Sequence, residues 1–82
     1  MKFLVYILYS ESEYRFYIGH TQDLDNRMRQ HNNGETKSIR FGVPWRIVWH
    51  AEFPSRSEAM RIENKIKNRG AKRFLMEVSR GA

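Results

Sequence analysis

Apolar residues crowd the start of the chain: Phe3 to Tyr9 follow one another without a polar gap. A run of that kind, with little alternation, predicts a strand over residues 2 to 9 that is covered on both sides, the middle of a small sheet with helices on its faces. Ser10 to Glu13 is polar enough to turn the chain, and Tyr14 to Gly19 supplies a second β-prone run, so residues 2 to 19 read as a hairpin. All four tyrosines fall inside it. The period then changes: Leu24, Arg27, Met28 and His31 recur at helical spacing, Thr21 or Asp23 can accept the first free amides, and Asn32, Asn33 and Gly34 end the run. This predicts a helix over 23–32. Residues 34 to 44 hold two glycines, Lys37, Arg40 and Pro44, the make-up of an exposed loop. Residues 45 to 53 alternate as a third strand, with Trp45, Ile47, Trp49 and Ala51 expected on one side and Arg46, Val48, His50 and Glu52 on the other. Ser55 followed three residues later by Glu58 is a capping-box pattern ahead of Ala59, Ile62 and Ile66, so a second helix starts at or beside Ser55 and stops at Gly70. Ala71 to Val78 completes the chain as a short third helix carrying Phe74, Leu75 and Val78 back to the core.

The order is thus strand, strand, helix, strand, helix, helix, an α+β arrangement within the α/β class. Eighty-two residues predict one domain over 1–82 with a modest core, so a substrate must lie largely on the surface. The absence of cysteine excludes a disulfide framework and thiolate zinc chemistry. The apolar runs are too short to span a bilayer and no signal-peptide pattern follows Lys2, which leads to a cytoplasmic expectation with no membrane partner. Fifteen lysines and arginines against nine acids give a net charge of +6, which favours a polyanionic partner, nucleic acid ahead of a membrane surface.

Charge alone names no chemistry, but three positions stand out on the predicted helices. Arg27 and His31 sit four apart beside the apolar line of Leu24 and Met28, so both lean toward the sheet. Taken singly they read as a rim arginine and a packing histidine. Glu63 falls beside Ala59, Ile62 and Ile66, an awkward place for a surface glutamate, and it needs a partner. A Mg²⁺ ion, which accepts one or two carboxylates and keeps several waters, would serve; so would a salt bridge to Arg27 or Lys67.

Together these residues resemble the catalytic pattern of the GIY-YIG endonuclease superfamily. Val5-Tyr6 and Tyr17-Ile18-Gly19, with eleven positions from Tyr6 to Tyr17, then Arg27, His31 and Glu63, match it across essentially the whole chain. The small stand-alone bacterial members are the most similar. The resemblance implies a three-stranded antiparallel sheet flanked by helices and a metal-dependent endonuclease that uses Mg²⁺ or Mn²⁺. It implies that Tyr6 and Tyr17 face a shared site, one orienting or deprotonating the attacking water and the other supporting the scissile phosphate. It assigns Arg27 to charge on the phosphate, Glu63 to the metal, His31 to a helper role as a proton relay, and His20 to phosphate or to the base tyrosine. Leu4-Val5 stands where the family has Gly-Ile, and Leu75 occupies the neighbourhood where nuclease members carry an asparagine. An unperturbed tyrosine, with a pKa of about 10, is a poor base at neutral pH. Tyr6 would therefore need a nearby metal and Arg27, or a purely water-orienting role.

The expected substrate is DNA, with RNA as the second candidate, contacted by Arg15, His20, Lys37, Arg40, Arg56, Arg61 and Lys65. With no long reading element, such contacts give preference for shape or weak preference for sequence. One site cuts two strands only by acting twice or by transient pairing of two copies on DNA. Trp45 and Trp49 are expected in the core, on the same side of their strand. The alternatives are a non-catalytic nucleic-acid-binding module on the same fold, to which Leu75 points, and a small partner protein whose Tyr6, Arg27 and Glu63 are plugged by other side chains.

Overall fold

A computed structural model describes residues 2–80. The continuous apolar run forms the central strand: β1 (Phe3–Ser10) lies between β2 (Arg15–Thr21) and β3 (Trp45–Phe53), antiparallel to both. A strand with a neighbour on each edge and helices over each face meets almost no water, so Val5, Ile7 and Leu8 are all fully buried. The turn occupies Glu11 to Tyr14, where Tyr14 takes a φ of 55°. The second strand therefore starts at Arg15 rather than Tyr14 and runs on past Gly19 through His20 and Thr21. Tyr14 belongs to the turn and is 80% exposed.

The sheet separates two apolar layers. On one face Val5 and Ile7 pack with Ala59 and Ile66 of α2 (Arg56–Arg69) and Ala71 of α3 (Ala71–Arg80). On the other, Tyr6 and Leu8 pack with Leu24 and Met28 of α1 (Leu24–Asn32) and with Ile39 and Trp45. α1 and α2 both start on side chains their sequences supply. Asp23 Oδ1 accepts from Asn26 N–H at 3.1 Å, and Ser55 Oγ accepts from Glu58 N–H at 3.2 Å. Gly70, at φ 94°, ends α2 in a backbone conformation that suits glycine, and α3 begins at once.

Three expectations are corrected. Ile7 pairs with Trp49 but Leu8 with Ile47, so Val48 is an extra residue, a bulge in β3. A single extra residue exchanges the faces: Trp45 packs on the Tyr6 layer, whereas Trp49 packs on the Val5 layer, against Phe74 at 4.9 Å. Trp45, Ile47, Trp49 and Ala51 therefore do not share one side. The segment expected as loop contains a 3-10 helix, Lys37–Gly42. The indole of Trp45 anchors it, donating from Nε1 to Ile39 O at 2.8 Å and lying so close to Gly42 that a Cβ there would come within 2.3 Å of Cζ2. Finally, α3 continues to Arg80, and with Phe74 and Leu75 occupying the apolar layer, Val78 in the last turn stays 41% exposed.

Asn32, the last residue of α1, fastens the two halves of this layer. Its Oδ1 accepts from Trp45 N–H at 2.7 Å and its Nδ2 donates to Trp45 O at 3.1 Å. Replacing it by alanine leaves both backbone groups without that partner, so Asn32→Ala is expected to cost about 1–3 kcal/mol. The measurement is urea unfolding, in which the midpoint should fall while the slope is kept.

Candidate active site

Tyr6 lies in the middle of β1, 2% exposed, directly opposite Gly19 of β2. A Cβ at position 19 would come within 2.7 Å of the Tyr6 Oη and 2.8 Å of its Cζ, so glycine there lets the phenol lie over the neighbouring strand. From above, α1 delivers His31, 1% exposed, whose Nε2 is 2.9 Å from Tyr6 Oη. The other ring nitrogen, Nδ1, is 3.0 Å from Thr36 Oγ1. Tyr17 projects from β2 on the same face, its ring 6.4 Å from that of Tyr6 and 5.5 Å from that of His31. Burial pushes the Tyr6 phenol well above its ordinary pKa; Tyr17 and Glu63 add to the effect and Arg27 partly offsets it. Burial, and then the Arg27 charge, pull His31 below its ordinary 6.5. At neutral pH the pair is a phenol and a neutral imidazole.

Glu63 approaches from the other side of the sheet. His20 pairs with Val5 and so points toward α2, where its Nδ1 is 2.5 Å from Glu63 Oε1. Lys67, one turn along α2, sets its ammonium 2.7 Å from Oε2. Burial of Glu63 opposes ionisation, but the hydrogen bonds and charges of Lys67 and His20 outweigh it and hold the carboxyl below its ordinary range. The two halves meet around the end of the edge strand, at Gly19 and His20. Arg27 joins them: its charge reaches Tyr6 and His31, and it lines a polar hollow of about 380 Å³ together with His20, Asp23 and Arg56. Asp23 caps α1 through Oδ1, and Glu63, with its two oxygens on His20 and Lys67, does not line the hollow. Among the described residues no three His, Cys, Asp or Glu cluster as a metal site.

The structure thus brings Tyr6, Tyr17 and His31 together on one face of the sheet and His20 and Glu63 together on the other, with Arg27 and Arg56 lining the hollow beside His20. The other expected nucleic-acid contacts lie apart. Arg15 stacks its guanidinium 5.4 Å from the Phe41 ring, on the 3-10 helix that carries Lys37 and Arg40. Arg61 and Lys65 line a separate groove with Met60, Asn64 and Asn68 on the outer side of α2. Leu75 packs into the Val5 layer as an ordinary core residue. Thr36 carried no mark in the sequence, because it lies beyond the helix and five residues from His31. The signal for it was Gly34, whose φ of 76° turns the chain back over α1.

The model of the GIY-YIG catalytic domain matches residues 2–76. The chain belongs to the GIY-YIG family. It is 39% identical over 69 residues to the UPF0213 protein of Halalkalibacterium halodurans, covering 83% of this chain and 72% of that one. A UPF0213 protein of Haloquadratum walsbyi is 38% identical over 65 residues, covering 78% of this chain and 72% of that one. A structure-specific endonuclease subunit of Meyerozyma guilliermondii is 40% identical over 72 residues, 78% of this chain but 24% of that longer protein. The solution NMR structure of the UPF0213 protein from Bacillus halodurans superposes with a TM-score of 0.59 at 36% identity, covering 96% of this chain and 84% of that one. The GIY-YIG fold is therefore shared along nearly the whole length, with Gly19 of the second motif serving as the seat of the first motif's tyrosine.

Two outcomes test this geometry. Gly19→Ala forces the Tyr6 ring to move and is expected to cost about 1–3 kcal/mol, read by urea unfolding. His31, with its folded pKa lowered, contributes stability that is fully present above 6.5 and is lost as pH falls below it, because the unfolded chain then binds the extra proton. Substituting His31→Gln should flatten that stretch of the stability profile relative to wild type, measured by thermal melts across a pH series.

Proposed function

We propose that this chain is a metal-dependent endonuclease that hydrolyses DNA phosphodiester bonds with selectivity for structure rather than sequence. The observation that carries the reading is a buried tyrosine–histidine pair within reach of the Arg27 charge, with Arg27 and Arg56 lining a polar hollow beside His20, which holds the Glu63 carboxylate. Such hydrolysis needs a placed water, a group to receive its proton and positive charge where the phosphate becomes more negative. Arg27 and Arg56, which both line the hollow, supply that charge, Tyr17 walls the site with an aromatic ring, and Tyr6 orients the water. Because phenolate is strongly disfavoured there, Tyr6 acts by passing its own proton to His31 as it receives one.

Glu63 offers a hard divalent cation one ionised carboxylate, 13% exposed, whose Oε2 would have to exchange the Lys67 ammonium for the metal. Mg²⁺ or Mn²⁺ held by Glu63 would supply further neutralisation of phosphate charge. His20 holds the carboxylate in place. The structure-specific endonuclease subunit among the relatives supports selectivity for DNA structure, and the placement of Arg61 with Lys65 and of Arg15 with Lys37 and Arg40 on separate surfaces suits a substrate that meets the protein on more than one side. RNA is the second substrate class.

A second reading, a nucleic-acid-binding module without catalysis, is favoured by three observations. Both Glu63 oxygens are engaged, Tyr6 is 2% exposed, and Leu75 lies in the core. The deciding experiment incubates labelled duplex, single-stranded, flap and branched DNA with wild type, Glu63→Ala and Tyr6→Phe in Mg²⁺ or Mn²⁺. Cleavage by wild type is expected to fall at least about a hundredfold in each variant. Binding without cutting by folded wild type would transfer the assignment to the binding module.

A further inference from the structure

Thr36 belongs to none of the motifs, yet its hydroxyl is hydrogen-bonded to His31, the side chain that is hydrogen-bonded to the Tyr6 phenol. It stands at the N-cap position of the 3-10 helix but makes no capping hydrogen bond with its side chain. Its oxygen is therefore not committed to the backbone there. The line Tyr6 Oη, His31 Nε2, His31 Nδ1, Thr36 Oγ1 runs from a phenol that is 2% exposed, through an imidazole that is 1% exposed, to a half-buried hydroxyl.

Two proton arrangements satisfy this line. In one, Tyr6 donates to a bare Nε2, and Nδ1–H donates to Thr36. In the other, Thr36 donates to a bare Nδ1, and Nε2–H donates to Tyr6. The second leaves the Tyr6 hydroxyl proton in need of an acceptor, and among the described residues its hydrogen bond is to His31. A buried hydroxyl without an acceptor is costly. The first arrangement leaves only the Thr36 proton over, at a half-buried position where water can take it.

We infer that Thr36 is a positioning residue that holds His31 in its Nδ1–H tautomer, so that Nε2 faces Tyr6 as a bare proton acceptor. The logic is that of a nucleophile, base and orienting group, built from neutral partners. It gains its catalytic meaning from the nuclease reading. There, water oxygen bonds phosphorus as its proton passes to Tyr6 Oη, the Tyr6 proton passes to Nε2, and the bond to the leaving oxygen breaks with its electron pair going to that oxygen. His31 ends as an imidazolium donating from Nδ1 to Thr36. A phosphate held on Arg27 offsets the positive charge that otherwise opposes this protonation, so substrate binding itself makes His31 the better acceptor.

The test uses the full chain labelled with ¹⁵N, as wild type, Thr36→Val and Thr36→Ser, with folding checked by circular dichroism. The His31 ring nitrogens report the tautomer directly, since a bare and a protonated nitrogen resonate far apart. Wild type and Thr36→Ser are expected to show Nδ1 protonated and Nε2 bare, and Thr36→Val to lose that single tautomer. Cleavage of branched DNA should fall roughly tenfold or more in Thr36→Val, with KM unchanged and with recovery in Thr36→Ser. Nε2–H in wild type, or the same single tautomer in folded Thr36→Val, would overturn the assignment. Wild type that cuts nothing would sink the nuclease reading, and the nitrogen signals would still decide the role of Thr36.

Discussion

The close approach of the Tyr6 ring to the backbone of Gly19 is the constraint on which the site depends. Sub-van der Waals room for a Cβ at that point means that the second motif's glycine and the first motif's tyrosine form one packing unit across two strands. Once the ring is seated there, its hydroxyl lies under α1, where His31 is the group that can satisfy it. The burial that follows keeps the phenol neutral, so in the proposed reaction Tyr6 passes a proton on rather than acting as an ordinary base.

The second dependence is electrostatic and concerns Arg27. Tyr6 and His31 lie on one side of the sheet, Glu63 and His20 on the other, each pair joined by its own hydrogen bond. Arg27 is the charge that both the hollow and the tyrosine–histidine pair feel. Without an anion nearby it opposes protonation of the histidine; with one bound, that opposition is relieved. A small protein can in this way link occupancy of its surface to readiness of a buried pair without any moving element.

Much of the fold was legible because its signals were local and strong. The unbroken apolar run at Phe3 to Tyr9 announced a central strand, Ser55 with Glu58 announced a helix start, and Gly70 announced its end, each for a reason confined to a few residues. The bulge at Val48 was not legible, since nothing in the sequence of β3 marks which residue is supernumerary; that is decided by pairing with β1. The 3-10 helix was hidden for a similar reason, its anchor being an indole several residues downstream. At the site, Tyr6, Tyr17, Arg27, His31 and Glu63 were legible as a set because their spacing matched a family pattern. The contact of His20 with Glu63 required knowing which face of β2 meets α2, and Thr36 required knowing how the chain reverses at Gly34.

The bulge carries a wider implication for how this chain tolerates change. Beyond Val48 every residue of β3 owes its inward or outward position to a count, not to its chemistry, so exchanging one apolar residue for another perturbs a single spot. Dropping or adding a residue would invert the remainder of the strand and carry Trp49 and Phe53 out of their layer. This strand therefore accepts a change of composition far more readily than a change of length, which the turn at Tyr14 and the segment between Gly34 and Pro44 are better placed to absorb.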